Sequence, residues 1–308
     1  MKRPSLAELE LRCQKPDYRR VGNWMARRVS RPAALRITWL IAPWGISANM
    51  ATLAAWACGV AAAAGFGWGT MWGFAAGAAL LQIWYLLDHV DGQLARLCGT
   101  ASLDGVQLDY LMHHTIHLLV PLGIGWGLFA RTAEPLWAAG GLVWGLALLL
   151  LTLHHDARYK AFTQRLKRVR GLLHVFGGGG ARPVPQPSIP RRPLKLVGWV
   201  ARKACEMHVI VNVLGLAALV QWLVGDGRLL VARTYLAAMV PVSVGVVAWT
   251  LGRSLRTGAA EREFAAWYRV PPGRNLIFAD GWWHVEPAEE CEGGKGKGHD
   301  ETAGKPAR

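Results

Sequence analysis

The chain has 308 residues, 52% of them hydrophobic, yet 35 Lys and Arg against 20 Asp and Glu give a formal charge of +15. A positive mean hydropathy combined with that charge argues against an ordinary two-domain soluble protein and for segregation of apolar and basic residues, as in an integral membrane protein. The five cysteines (Cys13, Cys58, Cys98, Cys205, Cys291) are odd in number and unpaired in spacing, which excludes a disulfide framework and a zinc signature.

Residues 1–45 read as a basic cytoplasmic or interfacial segment. "ARRVSRPAALRITWLI" has apolar residues at helical spacing with arginines between them, which suits a helix lying in the membrane interface. No short apolar stretch sits near Met1, so the first apolar run is not a secretory signal.

Six apolar runs follow, at about 46–66, 70–90, 106–128, 134–155, 206–225 and 229–250. Each approaches the roughly 20 residues that cross a bilayer core of about 30 Å. The fifth is bounded by Glu206 and Asp226 and is slightly short. Nothing alternates as a membrane β-strand does. The predicted fold is therefore all-α and polytopic, with a membrane domain over 46–252, a basic loop at about 156–205 and a tail over 253–308. Gly65, Gly69, Gly73 and Gly77 recur every four residues, a pattern expected to stack on one face of the second helix and allow close packing.

Basic residues crowd the N-terminal segment and the loop between the fourth and fifth runs, while the alternate connections hold only Arg131 and Arg228. That asymmetry predicts an inner-membrane protein with both termini and the 88–114 stretch in the cytoplasm. Trp68, Trp72, Trp126, Trp137 and Trp222 fall near the opposite ends, as interfacial anchors. The basic surface suits anionic lipid, or in part a phosphate-bearing substrate. Nothing in it resembles a nucleic-acid platform.

Within the loop, "RYKAFTQRLKRVRGLLHVF" reads as a second interfacial helix, and "GGGGARPVPQPSIPRRP" as a flexible linker. In the tail, "NLIFADGWWHVEP" predicts a hairpin turning at Asp280-Gly281. The final "EGGKGKGHDETAGKPAR" is expected to be disordered.

The chemistry gathers in "DHVDGQLARLCGTASLDGVQLDYLMHH", residues 88–114. Asp88 and Asp91 are three apart and share a helix face. Gly92 removes bulk beside them, with Ala95 and Arg96 one turn on. After a turn at 97–103, a helix capped by Ser102 or Asp104 carries Asp109, His113 and His117 on one face. Ionisable groups inside apolar runs cost a few kcal/mol each and normally face a protein interior or cavity. Clustered carboxylates need positive compensation, and hard oxygen donors suit Mg²⁺, Mn²⁺ or Ca²⁺. Metals between carboxylates on a cytoplasmic membrane face point to phosphoryl chemistry.

This stretch resembles the signature of the CDP-alcohol phosphatidyltransferase family, D-x2-D-G-x2-A-R followed after eight residues by G-x3-D-x3-D. Asp88, Asp91, Gly92, Ala95, Arg96, Gly105 and Asp109 fall in place. Upstream, "SANMAT" is similar to the family's Pro-Asn-x-x-Thr, with Asn49 and Thr52 matching and Ala48 in place of proline. The resemblance implies a six-helix bundle, usually a homodimer, around a polar cavity open to the cytoplasm. It implies transfer of a substituted phosphate from a CDP-alcohol, commonly CDP-diacylglycerol, to a small alcohol, with release of CMP, in phospholipid biosynthesis. By the same resemblance Asp88, Asp91 and Asp109 would hold two divalent ions, Mg²⁺ or Mn²⁺. Asp88, Gly92, Ala95, Arg96 and Gly105, with Asn49 and Thr52, would line the CDP site.

The family's final aspartate, its catalytic base and a metal ligand, falls at His113. A neutral imidazole could ligate the metal or act as the base. Alternatively His113 is structural, with Asp104 or a water assisting the remaining carboxylates, or the protein is a non-catalytic binding or scaffold relative. His117 could orient His113 or the acceptor, though a buried, hydrogen-bonded histidine is the commoner role. His114 points away, toward packing or the interface.

Overall fold

The computed structural model describes residues 5–14, 23–175 and 189–287. Most of the glycine- and proline-rich linker and the expected disordered end lie outside these residues. The described chain is mostly helical and divides into two units, Met1–Tyr159 with Gly180–Ala260, and Lys160–Gly179 with Glu261–Arg308.

In the first unit, α1 (Leu6–Cys13) precedes a π-helical stretch, Ala26–Ser30, that runs into α2 (Arg31–Ile41). The long helices follow: α3 (Ala48–Gly67), α4 (Met71–Cys98), α5 (Leu103–Thr132) and α6 (Pro135–Leu166). After the linker come α7 (Pro193–Ala204), α8 (Met207–Val224) and α9 (Leu230–Arg256). The turns carry their own punctuation. Ser47, Thr70 and Ser102 cap α3, α4 and α5 through their side-chain oxygens. Gly99 closes α4 with a left-handed φ of 64°, where a Cβ would be strained.

One apolar core joins six helices. It includes Phe66 of α3, Leu81 and Trp84 of α4, and Ile116 and Ile124 of α5. Trp144 of α6, Leu214 of α8 and Leu236 of α9 complete it. Gln82 on α4 donates to the Val211 carbonyl of α8 at 3.0 Å. Outward, Leu142, Leu146, Leu150 and Leu153 form an exposed apolar stripe on α6.

Among the described residues, four helices are long and apolar enough to cross a membrane: α3, α6, α8 and α9. The other two expected spans, α4 and α5, form at 28 and 30 residues. They fall short of that apolar standard, with Asp88, Asp91 and Arg96 in one and Asp104, Asp109 and three histidines in the other.

The glycine expectation needs correction. Gly65 lies in the last turn of α3, Gly69 sits in the connecting turn, and Gly73 and Gly77 lie on α4, so the four do not share one helix. They act across the hairpin. A Cβ on Gly77 would stand 2.8 Å from the Ala62 carbonyl, and one on Gly65 3.0 Å from the Gly77 backbone.

The second unit corrects two further expectations. The basic stretch after residue 158 stays helical only to Leu166 and then forms β1 (Val169–Arg170) and β2 (His174–Val175). After α10 (Ala259–Trp267), β3 (Tyr268–Arg269), β4 (Arg274–Ala279) and β5 (Trp282–Pro287) follow. β4 and β5 are the expected antiparallel hairpin, with Asp280 and Gly281 both at positive φ. β1 adds to β5 in parallel and β2 pairs with β3. The chain is therefore not purely α. The hairpin is not alone: β1, a strand that a helical reading of the loop hid, pairs with its β5 edge. Arg165 bonds Glu261 through both nitrogens, at 2.5 and 2.6 Å, and lies over the rings of Phe264 and Trp283.

Candidate functional site

The short turn at Gly99–Ser102 joins α4 to α5, and both helices pack against α3. Asp88 and Asp109, distant in sequence, thereby face one another across His113. Its Nε2 lies 2.9 Å from Asp88 Oδ1 and 3.3 Å from Asp109 Oδ1. Donor atoms of these three side chains all lie within 4.8 Å of one another. Asp91 stands outside that group. Its Oδ2 accepts from Thr52 Oγ1 at 2.7 Å, and both side chains are buried.

Two cavities meet at this point. One, of about 300 Å³, is lined by Asp88, Asp91, Gly92, Arg96, Asp109 and His113, together with Gln14, Arg31, His89 and Gln93. The other, of about 220 Å³, is lined by Asn49, Thr52, Ala95 and Gly105 among others, and shares Asp91, Gly92, Arg96 and Asp109 with the first. Every motif position therefore falls on one of two adjoining walls. A Cβ on Gly92 would stand 3.2 Å from the Arg96 guanidinium, so the glycine gives that group room.

A third cavity, of about 600 Å³, also reaches His113. His113, His89 and Arg31 line both it and the carboxylate cavity. His117, Thr152, Arg202 and Glu206 belong to its wall.

The remaining predicted residues are placed as follows. Asp104 lies in the first turn of α5, is exposed, and lines none of these cavities. His114 turns away from the carboxylates, with Nε2 3.0 Å from Asp156 on α6. His117 reaches Thr152 on α6.

The N-terminal contribution was not legible as part of the site. Arg96 Nε donates to the Cys13 carbonyl, so α1 packs at the motif's edge. Leu9 and Cys13 are fully buried there with Leu35. The available signal was the capping box of Ser5 and Glu8 opening a short amphipathic helix. Arg31, His89 and Gln93 were also missed, because nothing in their spacing separates them from ordinary surface residues. Gln93 is held by Thr38 Oγ1 at 2.9 Å and itself donates to the Arg31 carbonyl, joining α2 to α4.

The donor set suits a divalent cation. Carboxylate oxygens of Asp88 and Asp109 lie within 4.8 Å of each other, near enough for one hard cation to contact both. A neutral imidazole offers one proton to two carboxylates, so Asp88, Asp91 and Asp109 leave excess negative charge for a cation to offset.

Residues 45–176 match the family model described as CDP-alcohol phosphatidyltransferase. No curated protein matches the chain. Among solved structures it is similar to the crystal structure of the Mycobacterium tuberculosis phosphatidylinositol phosphate synthase with CDP-DAG bound. That similarity is at 17% identity over 72% of this chain and 94% of the other, with a TM-score of 0.40.

Proposed function

Residues 45–176 belong to the CDP-alcohol phosphatidyltransferase family, and on that premise we propose that the chain transfers a phosphatidyl-type group from CDP-diacylglycerol or a similar CDP-alcohol to a small alcohol. CMP is the leaving group and a phosphodiester of phospholipid biosynthesis the product. The observation that carries this reading is the convergence of Asp88, Asp109 and His113 from two helices, between cavities walled by the other motif residues.

In this reading the 220 Å³ cavity, with Asn49, Thr52, Ala95 and Gly105, receives the CMP moiety, and Gly92 and Arg96 lie along the diphosphate. Asp88, Asp91 and Asp109 would hold Mg²⁺ or Mn²⁺. When bound, the ions supply positive charge to the diphosphate oxygens. The acceptor enters from the 600 Å³ cavity. Its hydroxyl oxygen forms the new bond to phosphorus as the bond to the CMP oxygen breaks. His113, bordering both cavities, takes the hydroxyl proton, and the adjacent carboxylates orient the ring and stabilise its charged form. The carboxylates thus keep the ions while the imidazole does the base work of the family's aspartate. α3–α6, α8 and α9 are the six membrane spans of this reading, with the site at the cytoplasmic face.

The test is CMP release by purified protein in lipid nanodiscs, given CDP-diacylglycerol, Mg²⁺ or Mn²⁺ and a panel of alcohols. Release above an Asp91→Ala control is expected. No release above that control with any acceptor or metal, together with retained nucleotide binding, would replace this reading with a non-catalytic binding module.

A further inference from the structure

Near its C-terminal end α9 presents two unlike faces. Val246 and Thr250 turn inward and line the 600 Å³ cavity. Ala248 and Gly252, each two residues further on, stand roughly half a turn round the helix. With Trp249, Arg253, Arg256 and Thr257 they line a separate groove of about 410 Å³. Trp249 is 60% exposed there, and a Cβ on Gly252 would meet no atom within 4 Å. The groove therefore has an indole wall, a floor without a side chain, and two guanidiniums at one end.

α9 is long and apolar enough to cross a membrane, so lipid is what its outer face meets. Arg253 and Arg256 fall in its last turn, where hydrocarbon gives way to headgroups. A basic residue there complements the helix dipole, which accounts for one positive charge but not for a pair beside a groove. The two arginines are three apart and neighbours on the helix surface, a like-charge arrangement that an anion between them relieves. Among the described residues no carboxylate pairs with either guanidinium.

We propose that this groove holds one anionic phospholipid. Its phosphate accepts hydrogen bonds from Arg253 and Arg256, and an acyl chain runs past Gly252 and Ala248 beside the Trp249 ring, an interfacial residue by type. A zwitterionic lipid offers the same phosphate but brings its own ammonium, so the arginine pair selects a lipid of net negative charge. The groove and the 600 Å³ cavity lie on opposite faces of α9, so this site stands independently of the transferase reading.

Native mass spectrometry of the full chain, titrated in detergent with phosphatidylglycerol or phosphatidylcholine of identical acyl chains, reads the first lipid bound. The wild type should bind the anionic lipid about tenfold more tightly, and Arg253→Gln combined with Arg256→Gln should abolish that preference, the loss of charge-assisted hydrogen bonds. Arg191→Gln combined with Arg192→Gln removes the same charge at the exposed start of α7 and should leave the preference in place. Gly252→Leu fills the floor while keeping both arginines and should weaken binding of either lipid. Trp249→Ala, which removes the wall without adding bulk, should do the same and serves if the leucine variant does not fold. Inorganic phosphate should not displace the lipid. Equal effects of the two arginine pairs would reduce the site to surface charge and overturn the proposal. So would equal binding of the two lipids, unchanged binding in folded Gly252→Leu and Trp249→Ala, or displacement by inorganic phosphate. A wild-type dimer that Gly252→Leu splits, with no lipid preference, would assign the groove to a second copy of the chain instead.

Discussion

Thr52→Val isolates one link between α3 and the motif. Val is close to isosteric with Thr, so no large cavity opens. What disappears is the donor 2.7 Å from Asp91 Oδ2, between side chains only 4% and 8% exposed. The Ala48 carbonyl also lies near the hydroxyl, at 3.2 Å, but it loses only a longer, uncharged contact. Leaving a buried carboxylate oxygen unpartnered costs about 1–3 kcal/mol. Taking about 2 kcal/mol, the melting temperature should fall by roughly 4–8 °C for a domain of this size. Because Asp91 is also a proposed ion ligand, the loss should be larger in EDTA than in saturating Mg²⁺, where the cation takes over as charge partner. Thr52→Ser keeps the hydroxyl and should stay near the wild type. Thermal unfolding of the three proteins in nanodiscs, with and without Mg²⁺, gives the six numbers needed. A Thr52→Val protein that melts within about 1 °C of wild type in EDTA would refute the reasoning, since the bond would then contribute less than the buried-partner argument requires.

Three further outcomes are expected. Gly77→Ala places a Cβ 2.8 Å from the Ala62 carbonyl, and separating α3 from α4 should destabilise the protein by about 1–3 kcal/mol; an unchanged melting temperature would count against the close crossing. His113→Ala should lower kcat by about 10² or more, as loss of a general base does, whereas His113→Asp should retain activity with a shifted pH profile; identical rates and profiles in all three proteins would remove His113 from the chemistry. In the second unit, the hydrogen bonds from Arg165 hold the Glu261 carboxyl below its ordinary value of 4.5. A depressed carboxyl stabilises the fold above the unfolded pKa and loses that contribution as pH falls below about 4.5 through the folded value. Glu261 is 66% exposed, so the effect is small; Glu261→Gln should flatten the acid-side change in hydrogen exchange of β5, and an unaltered acid response would exclude the pair as its source.

Hydrophobic runs and cap residues made the long helices legible in the sequence, because helix length and capping depend on neighbours a few positions away. In the second unit the β4–β5 hairpin was legible from its turn residues, but the strands of the basic loop were not. Val169–Arg170 looked like the end of a basic helix, and only pairing with Trp283 and His284 makes it a strand. Strand identity there depends on a partner more than a hundred residues distant. Gly65, Gly73 and Gly77 announced close packing by their spacing, but which helices approached was a matter of where the chain reversed.

The site divides in the same way. Motif spacing alone named Asp88, Asp91, Asp109 and His113, since residues three or four apart on a helix must share a face. What the tertiary structure decided is which atoms meet. It set His113 between Asp88 and Asp109, turned Asp91 to Thr52, and brought Cys13 to Arg96 and Thr152 to His117. Those contacts cross from one helix to another, and crossing geometry follows from how side chains pack along whole helix faces, which no local pattern of residues encodes.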